Sequence, residues 1–93
     1  MSVNTWLVNN RNSYSLKIYT DGWQAPTPGE IKSLRKALGL TQVDVAKVVG
    51  VSWSKKNGSP TVRKWETEIN SKNNRTIPYS AWRLLLIYAG ITK

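Results

Sequence analysis

The chemically capable side chains in this chain are hydrogen-bond donors, and most of them are cationic. Lys55, Lys56, Arg63, Lys64, Lys72 and Arg75 fall in one stretch of the second half, with Asn57, Ser59, Thr61 and Asn74 among them and Gln42 upstream. Such a set neutralises and hydrogen-bonds oxyanions. The residue types on which catalysis draws are nearly missing. Cys is absent, which excludes disulfides, thiolate zinc sites and cysteine nucleophiles. His is absent too, removing the commonest general base and a frequent metal ligand. Only Glu66 and Glu68 are close together among the five carboxylates, and two residues apart on a helix they diverge. The chain is expected to bind, not to catalyse, with no metal and no cofactor.

Charge indicates what it would bind. Fourteen Lys and Arg oppose five Asp and Glu, for a formal charge of +9. Through Val51 six basic residues meet three acidic ones; beyond it, eight basic residues meet only Glu66 and Glu68. A field of this kind suits a polyanion, usually DNA or RNA. A merely soluble basic protein, or one held at an acidic membrane surface, is the alternative. No stretch approaches the roughly 20 apolar residues of a membrane span, the longest apolar run being Leu84 to Ala89. Met1 to Asn4 lacks the basic head and apolar stretch of a signal peptide, so a cytoplasmic location is expected.

The elements that must position these groups are legible as patterns. Ninety-three residues make one domain at most. Thr5–Val8 and Tyr14–Thr20 are rich in aromatic and β-branched types around the turn formers of 9–13, which predicts an N-terminal β-hairpin. Tyr14, Leu16 and Ile18 would then share one face. Residues 1–27 form this hairpin and a connector; residues 28–93 form the helical part of one compact unit. Thr27 caps a first helix with Pro28 and Glu30 in its first turn and Ile31, Leu34 and Leu38 along one side. Its Lys and Arg residues read as a solvated face. Thr41 caps a second helix with Val45, Ala46 and Val49 inward, ended by Gly50. Ser59 and Pro60 begin a third, in which Val62, Trp65 and Ile69 have the spacing of a buried stripe. A fourth runs from about Pro78 to Ala89, apolar nearly all round, so that the hairpin or another subunit must cover part of it.

The string Thr41-Gln42-Val43-Asp44-Val45-Ala46-Lys47-Val48-Val49-Gly50-Val51-Ser52, followed by Thr61-Val62-Arg63-Lys64-Trp65-Glu66, carries the function. A small Ala46 lets two helices approach steeply, Gly50 allows the chain to leave the first of them, and Val62 and Trp65 pin the second. This resembles the helix-turn-helix of the phage λ repressor and Cro family, through Thr41-Gln42, Ala46, Gly50-Val51-Ser52, Thr61-Val62 and Trp65-Glu66. The arrangement extends over about residues 28–90. Ile77-Pro78-Tyr79 and the run Ser80 to Leu85 are also similar to small phage-type autorepressors, such as anti-CRISPR-associated regulators.

The resemblance implies a mainly α, four-helix λ-repressor-like DNA-binding domain, here with an inserted turn and preceded by the hairpin. Where the family has two residues between the Val-Ser and the Thr, eight intervene here, Trp53 to Pro60. The insert either lengthens the turn or extends the recognition helix backwards. Lys55, Lys56 and Asn57 then form a DNA-contacting loop, or the loop is solvated with Trp53 folded onto the core. By the family's pattern Gln42 bonds a phosphate, Ser59, Thr61 and Lys64 face the groove with Arg63 near it, and Lys72, Asn74 and Arg75 clamp the backbone. Free amides near Thr41 and Ser59 would help hold phosphates. Glu66 is expected to make a helix-surface or core-edge contact, not a base contact. The implied partner is double-stranded DNA bearing an inverted repeat, bound by a homodimer that acts as a repressor or autoregulator. Three rivals remain: an antitoxin-type regulator that also binds a toxin, an RNA-binding module, and a protein-interaction module on the same scaffold.

Overall fold

The helix starts of this chain are made by the caps its residue types specify. In the computed structural model, which describes residues 2–92, α2 (Pro28–Ala37) opens with a reciprocal box. Thr27 Oγ1 accepts from the Glu30 amide at 3.1 Å, and a Glu30 carboxylate oxygen accepts from the Thr27 amide at 3.3 Å. Helix α3 (Gln42–Val49) repeats the device with Thr41 and Asp44. Its end is set by Gly50, at φ 80°, a left-handed conformation that a Cβ would strain. Helix α4 (Pro60–Trp65) starts from Ser59, whose hydroxyl accepts from the Val62 amide. Helix α5 (Tyr79–Tyr88) follows Pro78.

The expected β-hairpin does not form, and among the described residues there is no strand. Residues Val3–Asn10 are an α-helix, α1, capped by the Ser2 hydroxyl, and two 3-10 turns follow at Tyr14–Leu16 and Tyr19–Asp21. The reason is tertiary. Trp6 is wholly buried, edge-on to Trp82 of α5 at 6.1 Å between ring centroids, and its Nε1 donates to Ser33 Oγ at 2.9 Å on α2. One large indole outweighs the β-propensity of its neighbours. Tyr14 and Ile18 are exposed while Ser15 is buried. The Ser15 carbonyl accepts from both Trp23 and Trp82 Nε1, at 3.1 and 2.9 Å. The Ser13 and Ser15 hydroxyls donate to one Glu30 oxygen, at 2.7 and 3.1 Å.

The core gathers Trp6, Ile31 and Leu34 of α1 and α2 with Val45, Ala46 and Val49 of α3. Val62 and Trp65 of α4, then Ile77, Ala81, Trp82, Leu85 and Leu86, complete it. Helix α3 packs on both α4 and α5, so the core fixes the angle at which α4 is held. The segment before α2 covers one side of α5, where Arg83 Nη1 also donates to the Leu16 carbonyl at 3.3 Å. The opposite side of α5 leaves Leu84, Ile87 and Tyr88 exposed. No helix among the described residues is long and apolar enough to cross a membrane.

Helix α4 is shorter than the expected stripe: it ends at Trp65, and Ile69 lies 71% exposed instead of buried. The following loop takes up its final carbonyls. The Arg75 amide and Asn74 Nδ2 donate to the Lys64 carbonyl, at 3.1 and 3.3 Å, and the Thr67 hydroxyl donates to that of Arg63 at 2.8 Å. These bonds satisfy the groups an ending helix leaves open.

Candidate nucleic-acid interface

Helix α4 is six residues long, about 9 Å at 1.5 Å per residue. Val62 and Trp65 turn inward, leaving Arg63 and Lys64 exposed and Thr61 half-buried. Two loops flank it. Before it, the insert forms a tight knuckle in which Ser54 and Gly58 exchange both backbone hydrogen bonds, at 2.8 and 2.9 Å. Lys55, Lys56 and Asn57 are exposed at its tip. After α4, the loop carrying Lys72, Asn74 and Arg75 folds back on the helix end. Arg75 Nη1 donates to the Lys72 and Asn74 carbonyls, at 3.0 and 2.8 Å. Lys72 and Arg75 are exposed; Asn74 is half-buried and positions the loop, its Nδ2 donating to the Thr67 carbonyl at 2.7 Å.

The expected site residues divide by this geometry. Lys55, Lys56, Asn57, Thr61, Arg63, Lys64, Lys72 and Arg75 lie on α4 or on the two loops that adjoin it. Ser59 does not share their exposure: it is 0% exposed, its hydroxyl donating to the Ser52 carbonyl at 2.9 Å while capping α4. Its chemistry is spent inside the fold, so it cannot face a groove. The free amides expected near Thr41 and Ser59 are likewise partly occupied, since Thr41 Oγ1 and Ser59 Oγ accept from the Asp44 and Val62 amides. The Asp44 carboxyl also sits at the start of α3, and the Thr41 backbone N–H is the chief cause that holds it below its ordinary value of 3.8.

Gln42 is half-buried, and its Nε2 donates to Glu66 Oε1 at 3.2 Å, which leaves one amide hydrogen for an outside acceptor. Of the two contacts open to Glu66, helix surface or core edge, the structure shows the core edge, and its partner is a residue of α2. Arg35, read as part of a solvated face, donates Nε to Glu66 Oε2 at 2.7 Å and Nη2 to Glu66 Oε1 at 2.9 Å. The fork ties α2, α3 and the end of α4 together. The signal that could have shown it is weak, because the partners are 31 residues apart. Trp53 is not folded onto the core either. It is 42% exposed, with Lys47 Nζ 4.6 Å above its ring.

These contacts decide the electrostatics. Three of the five carboxylates are occupied within the fold: Glu30 by Ser13, Ser15 and the Thr27 amide, Asp44 by Thr41, and Glu66 by Arg35 and Gln42. Lys55, Lys56, Arg63, Lys64, Lys72 and Arg75 stand exposed along α4 and its flanking loops. That arrangement gathers exposed donors of one charge sign on α4 and the loops that adjoin it.

The chain is similar to two proteins of Escherichia coli described as transcriptional repressor protein KorC. Each is 36% identical over 69 residues, an alignment spanning 74% of this chain and 72% of the relative. No family model matches the chain.

Proposed function

The chain belongs to the family of the KorC transcriptional repressors, and from that membership we propose that it represses by binding double-stranded DNA in a sequence-specific manner. In this reading α3 and α4 act as a helix-turn-helix of the λ repressor and Cro type, with α4 in the major groove. The observation that carries it is the row of six exposed cations on α4 and its two adjoining loops, with Asp44 and Glu66 engaged inside the fold and Glu68 an exposed carboxylate among them. Lys64, one of two exposed cations in the last turn of α4, reads a base edge, with Thr61 and Arg63 beside it. A Lys or Arg donates best to guanine O6 and N7, and a good contact discriminates by about 1–3 kcal/mol. Lys55, Lys56, Lys72 and Arg75 take phosphates, Asn57 joins the lysines at the knuckle tip, and Gln42 adds its remaining amide hydrogen. Asn74 serves by holding the second loop in place.

A homodimer completes the reading. Two copies related by a two-fold axis place their α4 helices about 34 Å apart on one face of an inverted repeat. The exposed side of α5, Leu84, Ile87 and Tyr88, is the surface proposed to meet its own copy. Occupying a promoter excludes the polymerase.

Binding-site selection from random duplex DNA, followed by affinity measurements across a salt series, tests the proposal. The expected product is an inverted repeat. Each phosphate neutralised lowers log K by about 0.9 per unit of log salt, so the four phosphate-bound cations of each protomer contribute a slope of about 3.6. Sequence-blind binding with no consensus would refute it.

A further inference from the structure

The insert before α4 is fastened to its surroundings at several points. Within it, the Ser54–Gly58 pair closes the knuckle, and the Asn57 amide donates to Ser54 Oγ at 2.9 Å. Gly58, at φ +67°, supplies a backbone conformation that L side chains rarely adopt. At its foot, Ser59 Oγ donates to the Ser52 carbonyl, and Trp53 lies under the Lys47 ammonium. One bond joins the tip to α4: Arg63 Nη2 donates to the Asn57 carbonyl at 2.8 Å. Arg63 therefore spends part of its rigid fork on the loop beside it, not on solvent.

We infer that Arg63 is a positioning residue that locks the knuckle to α4, so that Lys55 and Lys56 meet DNA phosphates at a fixed offset from the bases α4 reads. This rests on the DNA-binding reading above and extends it. The insert and α4 engage as one rigid head, and Arg63 acts through the lysines, without reading a base of its own. The benefit is entropic: lysines on a free loop must be ordered when they bind, whereas a clamped loop has already been ordered by folding. The fixed offset also widens the contacted half-site, adding phosphates beyond those that α4 and the second loop reach.

The test compares wild type, Arg63→Lys, Lys55→Gln/Lys56→Gln, and the combined variant on the selected operator. Arg63→Lys keeps the charge and removes the fork. It should cost about tenfold in affinity, about what fixing the backbone of one loop residue on binding costs, with base preference unchanged. Lys55→Gln/Lys56→Gln should lower the salt slope by about 2 for each protomer bound. In that background Arg63→Lys should cost less than about twofold, because the groups it positions are gone. Equal losses in both backgrounds, no loss at all, or a changed preference at one base pair would each overturn this role while leaving DNA binding intact. A wild type that selects no duplex would overturn the DNA reading and this role with it. On the free protein, backbone order parameters of residues 54–58 should fall in Arg63→Lys; unchanged order would overturn the clamp independently of any DNA.

Discussion

Replacing Glu66 with Ala should be among the most destabilising changes available outside the apolar core. The Glu66 side chain is 4% exposed and that of Arg35 13%, and they share a two-point fork at 2.7 and 2.9 Å. Removing one member of such a buried pair leaves the other charge without compensation, which costs about 3–5 kcal/mol. Arg35 keeps its bond to the Leu40 carbonyl at 3.1 Å and some contact with water, so the lower end applies, about 3 kcal/mol. For a domain of this size that corresponds to a drop of about 12–24 °C in the unfolding midpoint. Thermal and urea unfolding followed by circular dichroism would read it. The paired change Arg35→Met/Glu66→Leu should restore most of the loss, because it removes both buried charges and fills the space. A loss below about 1 kcal/mol for Glu66→Ala, the range of an exposed pair, would refute the reasoning. So would a double variant as unstable as the single one.

Further outcomes follow from other contacts. Trp6→Ala should cost about 3–5 kcal/mol, since Trp6 is fully buried against Trp82 and bonded to Ser33; calorimetry would show a loss that an exposed N-terminal helix could not produce. Asp44 has its folded pKa held down, so its contribution is present above the ordinary value and lost as pH falls through the lower folded one. The difference in midpoint between wild type and Asp44→Asn should accordingly persist at about pH 6, begin to shrink near the ordinary carboxyl value of 3.8, and vanish only as the pH falls through the lower folded value. Lys64→Ala should relax specificity at one base position, whereas Arg75→Ala should weaken binding to all sequences alike; competition binding with single-base operator variants separates the two.

Much of the helical frame could be read from local signals, because caps act over three residues. Thr27 with Glu30, Thr41 and Ser59 with Pro60 named three helix starts, and the inward sets Ile31/Leu34 and Val45/Ala46/Val49 named their buried sides. What was not legible depends on partners far along the chain. Residues 3–10 carry aromatic and β-branched types, yet Trp6 finds Ser33 and Trp82, and the segment becomes a helix. The stripe through Val62 and Trp65 stops short of Ile69 because Asn74 and Arg75 take the Lys64 carbonyl. Arg35 looked solvated until Glu66 was placed beside it.

The candidate site divides in the same way. Its cations were visible as types and spacing. Ser59, which suited both a cap and a groove contact, can perform only one role, and its burial assigns it to the cap. The knuckle had no sequence signature beyond its turn-forming residues, since the bond from Arg63 to the Asn57 carbonyl uses a backbone acceptor that any residue would supply.

The central claim is that the face built on α4 discriminates among DNA sequences. Its most direct test is the ratio of affinities for the selected inverted repeat and a scrambled duplex of equal length, measured for the wild-type protein near physiological salt. A sequence-specific repressor should show a ratio of about a thousand or more. A ratio near one, whatever the affinity, would contradict the account.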